Sequence, residues 1–308
     1  MKNKIALLIL FFSLCFSACK KDDGITASTS IDIAHLNFSD YGIVLTSTQT
    51  NIYYGAYDGR VLYDNGKFKM WYSNSYGNDQ YDIGYAESND GIIWTVVTPH
   101  AITQGDAGSW DSYGVHVGGI IKDGNTYKLY YCGQSTANDV TTKKIGYATS
   151  TDGLSWTKHG LITASGVNIY GYNTDVINVN GIYYLYYGNS TEVGVITSLD
   201  GINWTKSSTM IISASQSWEG TKIWSCSVIY EDNKFKMLYM TQNFNYFGYA
   251  ESSDGINWTK SSRPIWGNAT SDIRGPFIRK VNNNYYLYYS TQTNNYISGI
   301  GVAVATVN

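Results

Sequence analysis

The chain has 308 residues, a formal net charge of −3 and no lysine- or arginine-rich cluster, which argues against a nucleic-acid groove. Aromatic residues make up 15% of it, with 29 tyrosines and only three prolines. That composition fits a tyrosine-rich β-sheet or a sugar-facing surface, joined by many short turns.

The first segment reads as an export signal. Lys2 and Lys4 precede an apolar run, Ile5 to Phe16, too short to span a bilayer. Phe16-Ser17-Ala18-Cys19 resembles a bacterial lipobox, and the charged stretch Lys20 to Gly24 resembles the tether that follows a lipid-bearing cysteine. Residues 1–18 are therefore expected to be a lipoprotein signal peptide and residues 19–35 a flexible tether. Cys19 would be the lipidation site, anchoring an exported protein at the outer membrane or cell surface. An ordinary secretory signal is the alternative. Of the other cysteines, Cys132 and Cys226 fall in strand-like sequence and are expected as buried free thiols, with a disulfide between them as the alternative in an exported protein.

From residue 36 the chain repeats one grammar. An apolar strand is followed by an Asn/Asp/Gly turn, an aromatic strand, a strand such as IGYAES, then a Ser-x-Asp-Gly-x-x-Trp turn and a last strand. The turn occurs at Ser88–Trp94, Ser150–Trp156, Ser198–Trp204 and Ser252–Trp258, its tryptophans 62, 48 and 54 positions apart. Asp-Gly supplies the positive φ of a tight turn, and four near-copies at one place in a repeat point to structure rather than chemistry. Five aromatic strands, beginning at Lys67, Tyr127, Tyr183, Lys234 and Tyr285, give five repeats of four strands. The fifth ends before its outer strand. The unrepeated segment Tyr41–Thr48 is expected to supply that strand and close the ring. The predicted fold is all-β: a five-bladed β-propeller of four-stranded antiparallel blades over residues 36–308, acting as a monomer.

In such a ring the first strand of each blade lines the channel, and the loops leading into it surround one mouth. Aligned by the turn that follows, these loops place Asp58, His116 (or Val117), Asn173, Ser225 and Arg274 at one depth. Variation inside a repeat is where a function would be written. Tyr53, Tyr54, Tyr57, Tyr113, Tyr170, Tyr172 and Trp224 fall in the same loops. Aromatics at one mouth point to a carbohydrate ligand, with packing between blades as the alternative.

With its five repeats, xDGxxW turns and YYLYY strands, and with SWDSYGV (Ser109–Val115) and SWEGTKIW (Ser217–Trp224), the chain resembles the five-bladed propeller glycosidases. These are glycoside hydrolase families 43 and 32 and relatives in families 117 and 130. The resemblance implies a general base at the start of the first inner strand, which Asp58 matches, although Gly59 replaces the family's usual proline. Asp58 is otherwise a turn residue. The family's acidic residue in blade two is replaced by His116, which could act as acid/base, help hold an ion, or simply be a packed histidine. Its general-acid glutamate in blade three is absent; Asp175 and Glu192 are the candidates there. Trp110–Asp111 and Trp218–Glu219 repeat between blades two and four, which favours a structural role, yet a tryptophan beside a carboxylate is also what a sugar subsite uses. Arg274 would give the mouth a fixed cation, suited to an acidic sugar or to pairing with Asp58.

These residues lead to an exported glycan-active propeller, a glycoside hydrolase acting on plant or microbial poly- or oligosaccharide. Asp58, Asp175, Glu192 and His116 are the catalytic candidates. Tyr57, Trp110, Asp111, Tyr113, Tyr172, Asn173, Trp218, Glu219, Trp224 and Arg274 are the substrate-binding ones. The alternative is a propeller that binds glycan without cleaving it, because the acidic trio is incomplete; a protein–protein scaffold is a third reading. No cofactor is required by this chemistry and no metal ligands stand out, although a structural ion in the channel is compatible with the fold. The membrane is expected to be met only through the lipid, and nucleic acid not at all.

Overall fold

The structure is a computed structural model that describes residues 32–46, 49, 55–77, 80–137, 143–169, 171–188, 193–268, 270, 272–293 and 296–307. The expected signal peptide and Cys19 lie outside them. Asp32–Asn308 form one compact unit. Within the stretch expected as tether, Ile33–His35 is a 3₁₀ turn whose Ile33 is fully buried.

Five antiparallel sheets follow one another around a ring. Blade one is Ala56–Asp64, Lys67–Gly77, Gln80–Ser88 and Trp94–Ile102. Blade two is Gly114–Asp123, Thr126–Gln134, Lys144–Ser150 and Thr157–Leu161. Blade three is Tyr172–Val179, Ile182–Gly188, Val193–Ser198 and Thr205–Ile212. Blade four is Ile223–Glu231, Lys234–Thr241 and Tyr246–Ser252, with its outer strand split into Thr259–Lys260 and Trp266–Gly267. Blade five is Ile273–Val281, Asn284–Thr293 and Tyr296–Thr306, and Ser39–Thr46 pairs with the last of these as its outer strand. The ring is a five-bladed propeller closed by its N-terminal strand, which removes the long open edge a linear stack would leave.

The core lies between blades. One apolar slab joins blades five and one through Leu45, Met70, Tyr72, Phe277 and Ile300; another joins blades one and two through Trp71, Ile83, Val115 and Leu129. The glycine of the GYA-type strands has a specific cause. A Cβ on Gly84 would lie 2.4 Å from the ring of Tyr72, and one on Gly248 2.1 Å from Tyr239, so each tyrosine lies flat over a glycine of the neighbouring strand.

Each DGxxW turn holds itself and also fastens two blades. In the first copy Ser88 Oγ accepts from the Gly91 N–H at 2.9 Å, Asp90 Oδ1 accepts from Ile92 and Ile93 at 2.8 Å, and Trp94 Nε1 donates to the Gly91 carbonyl at 3.2 Å. Backbone donors hold Asp152, in the second copy, down at about 2, so these aspartates stay ionised. The same glycine carbonyl then accepts from the preceding blade: Tyr288 Oη to Gly91, Trp71 Nε1 to Gly153, Tyr130 Oη to Gly201 and Tyr186 Oη to Gly255, at 2.6–3.1 Å. Blade five has no such turn, and the register position that would reach it in blade four holds Leu238, which has no donor.

Cys132 and Cys226 are buried and free. No described helix is long and apolar enough to cross a membrane.

Candidate active site

A bulge interrupts the inner strand of every blade near the mouth. In four blades it takes the same form, two residues facing one tyrosine: Asp58–Gly59 opposite Tyr72, Val117–Gly118 opposite Tyr131, Asn173–Thr174 opposite Tyr187, and Gly275–Pro276 opposite Tyr289. In blade four the extra residue is Trp224, one pair nearer the mouth. Asp58, Asn173 and Gly275 hold positive φ values of 55°, 51° and 55°. Asp and Asn tolerate this left-handed region better than most residues, and a bulge re-aims a side chain. The register also corrects the alignment of the mouth positions. Arg274 is equivalent to Tyr57, His116 and Tyr172, not to Asp58.

These bulges meet at a cleft with an accessible volume of about 250 Å³. Tyr57, Asp58, His116, Asn173, Trp224 and Arg274 line it, as do Tyr81, Lys143, Met240, Phe244, Ser290, Thr291 and Gln292. Asp58 is the only carboxylate among these described lining residues. It is 8% exposed, and its backbone N–H donates to Ser290 Oγ at 2.9 Å. Among the described residues its carboxylate accepts no hydrogen bond. Burial pushes its pKa up from the ordinary carboxylate value, against the charges of Arg60, Lys143 and Arg274. A carboxyl in that state is suited to keeping and donating a proton. Gly275 makes room for it: a Cβ there would stand 2.2 Å from Asp58 Oδ1.

His116 lies beneath an aromatic cover. The Tyr81 ring is 4.1 Å away centroid to centroid, Tyr57 Oη is 2.9 Å from Nδ1, and Lys143 Nζ is 3.4 Å from Nε2. Burial, then the Lys143 charge, hold its pKa well below 6.5, so it is neutral at neutral pH. The ammonium can only donate, so Nε2 faces it as an acceptor, and the Gln134 side chain also bonds the ring. Both nitrogens are engaged, which leaves His116 orienting Tyr57 rather than exchanging protons with a ligand. Arg274 lies over the Phe244 ring at 4.1 Å and donates from Nε to Asp272 at 3.0 Å, so its hydrogen bond goes to Asp272 while its charge acts on Asp58.

Several expected site residues lie elsewhere. Asp175 is one step deeper, fully buried, and accepts from Arg279 Nη2 at 2.8 Å, Ser227 Oγ at 2.8 Å, and the Val176 and Val228 N–H groups at 2.9 Å. Such a saturated carboxylate ties three blades together and is not a mouth acid. Asp111 and Glu219 are structural locks of one design. Asp111 accepts from Tyr131 Oη at 3.1 Å and Lys158 Nζ at 2.7 Å; Glu219 accepts from Tyr239 Oη at 2.6 Å and Lys260 Nζ at 2.7 Å. Trp110 and Trp218 stack on those same tyrosines. Ser225 is buried and does not line the cleft. Nor does Tyr113, whose N–H is bonded to the Gln134 carbonyl. Tyr53, Tyr54, Tyr170 and Glu192 lie outside the described residues, as does the Tyr172 side chain. Among the described residues, no group of three or more His, Cys, Asp or Glu could hold a metal.

Comparison with known proteins agrees with this architecture. The N-terminal domain of glycosyl hydrolases family 32 matches residues 173–301. A glycosyl hydrolase from Bacteroides ovatus superimposes with a TM-score of 0.70 at 19% identity, covering 89% of this chain and 96% of that one. A family 117 glycoside hydrolase from Zobellia galactanivorans gives 0.69 at 16%, covering 89% and 92%. The chain thus shares the five-bladed propeller fold of these glycosyl hydrolases. In sequence, it is similar to the β-1,2-mannobiose phosphorylase of Thermoanaerobacter sp. (strain X514), at 30% identity over 24% of this chain and 31% of the relative. The propeller thus matches about a third of that curated relative's length.

Proposed function

We propose that this propeller is an enzyme that cleaves a glycosidic bond at the mouth cleft, with Asp58 as the proton donor. The observation that carries this reading is the Asp58 carboxyl: buried, free of hydrogen bonds among the described residues, and walled by aromatic and cationic side chains. Tyr57, Tyr81, Trp224 and Phe244 offer rings for a sugar face, and Asn173 offers an amide for its hydroxyls. The volume suits about one sugar ring, a chain end rather than a chain interior.

Hydrolysis needs a second carboxyl to activate water or attack the sugar. The described lining supplies none, but it does supply Lys143 and Arg274. Phosphate is already an anion at neutral pH and needs no base. Asp58 would protonate the leaving oxygen as the glycosidic C–O bond breaks, and a phosphate oxygen would bond to the anomeric carbon, giving a glycosyl phosphate and a free alcohol. The similarity to a mannobiose phosphorylase supports this acceptor. The test is product analysis after incubation with β-1,2-mannobiose, with and without inorganic phosphate. Mannosyl phosphate formed only with phosphate supports phosphorolysis; phosphate-independent mannose makes it a hydrolase; binding without turnover leaves a lectin-like propeller.

We also propose export and anchoring through a lipid on Cys19, supported by the charge and apolar pattern of residues 1–24. Labelled palmitate should enter the wild type and not Cys19→Ala.

A further inference from the structure

The outer strand of blade four departs from its counterparts. In blade one Ile102 pairs with Ile83, and in blade three Ile212 pairs with Val193; both isoleucines are buried, at 3% and 6% exposure. The equivalent pair in blade four is Phe247 with Trp266, in a strand broken after Lys260. Trp266 is half-buried and walls a second cleft, of about 300 Å³, between blades four and five. Its ring is propped by Phe38 and Tyr289, with centroids 6.0 and 6.1 Å away. Among the described residues its indole N–H donates to nothing. Beside it is Asp40, whose Oδ1 accepts from Tyr289 Oη at 2.5 Å and Gly42 N at 2.9 Å, while Oδ2 accepts from no described residue.

Asp40 is exposed and Trp266 half-buried, so the second carboxylate oxygen and the indole N–H are both open to a ligand in the cleft. A held aromatic ring with one open donor and one open acceptor has the chemistry that recognises a pyranose: an apolar face for its C–H groups and polar atoms for its hydroxyls. Ile273 walls this cleft and Arg274 walls the mouth cleft. They are consecutive in one strand, so their side chains face opposite ways and one strand separates the two clefts.

We infer that the Trp266–Asp40 cleft is a second glycan-binding subsite, which holds a sugar unit further along a chain whose end lies at Asp58. This rests on the glycan-cleaving reading of the mouth. The test compares KM for β-1,2-linked mannobiose and mannohexaose, in the presence of phosphate, for the wild type, Trp266→Ala and Trp266→Phe. In Trp266→Ala, KM for the hexasaccharide rises about tenfold while the disaccharide's KM and both kcat values hold, and Trp266→Phe restores most of the difference. Equal KM values for wild type and Trp266→Ala at both lengths would overturn the subsite and leave the mouth reading standing. A wild type that neither binds nor cleaves either sugar would overturn both. A Trp266→Ala variant with parallel losses on both substrates and a lowered Tm would make Trp266 a packing residue only.

Discussion

At the scale of a residue, Asp58 carries the account, and its pH behaviour has a definite sign. Its folded pKa lies above the ordinary value of 3.8, with burial as the main cause. Between those two values the folded protein keeps a proton that the unfolded chain has released, so stability falls as pH rises through the window. Asp58→Asn escapes that loss. Thermal melts should show the variant more stable than wild type at neutral pH, with the gap closing below the ordinary carboxylate range, while turnover falls about 10²–10⁴-fold. His116 runs the other way. Its folded pKa is depressed below 6.5 by burial and by Lys143, so stability is lost as pH falls below 6.5, when the unfolded chain takes up a proton and the folded one does not. His116→Gln should flatten that acid limb of Tm against pH. It should leave the pH profile of kcat/KM unmoved, because a neutral, doubly bonded imidazole titrates outside the working range. Gly275→Ala places a Cβ on the Asp58 carboxylate at a positive φ, and should abolish activity with a Tm loss equivalent to about 1 kcal/mol. In the sequence Asp58 had two readings, a general base by resemblance and a turn residue as half of an Asp-Gly pair. A turn and a bulge both use the left-handed tolerance of that pair, and only strand register tells them apart.

At the scale of an element, the DGxxW turn shows how far a repeat can be read. Its internal bonds follow from the residues, and Asp-Gly alone predicts a turn before the outer strand. Its second role, receiving a tyrosine or tryptophan donor from the preceding blade, depends on a partner 69 to 197 residues away and could not be read from the turn. Tyr130→Phe removes the bond to the Gly201 carbonyl and should cost about 1–3 kcal/mol, since that carbonyl stays buried. Urea unfolding would measure it. The Trp-acid pairs of blades two and four follow the same logic. Their repetition pointed to structure, and Lys158 and Lys260 complete each lock from the outer strand.

At the scale of the molecule, the ring count and its closure were legible because a period near fifty residues ran out one strand short at the C-terminus. Truncation to residue 46 removes the strand that pairs with Tyr296–Thr306, and should leave a protein that aggregates or melts well below one truncated to residue 31. The mouth was half legible. The loops that lead into inner strands are only part of its rim. Antiparallel pairing brings the ends of second strands and the starts of third strands to the same rim, and Tyr81, Lys143, Phe244 and Gln292 came from there. Those residues turn an incomplete set of carboxyls into one acid among cations. The decisive measurement is leaving-group dependence. Mannosides with a poor alkyl and a good aryl leaving group should be cleaved by Asp58→Asn with very unequal losses, severe for the alkyl and slight for the aryl, because a good leaving group needs no proton. Equal losses on both, or full activity on the alkyl mannoside, would contradict Asp58 as the proton donor.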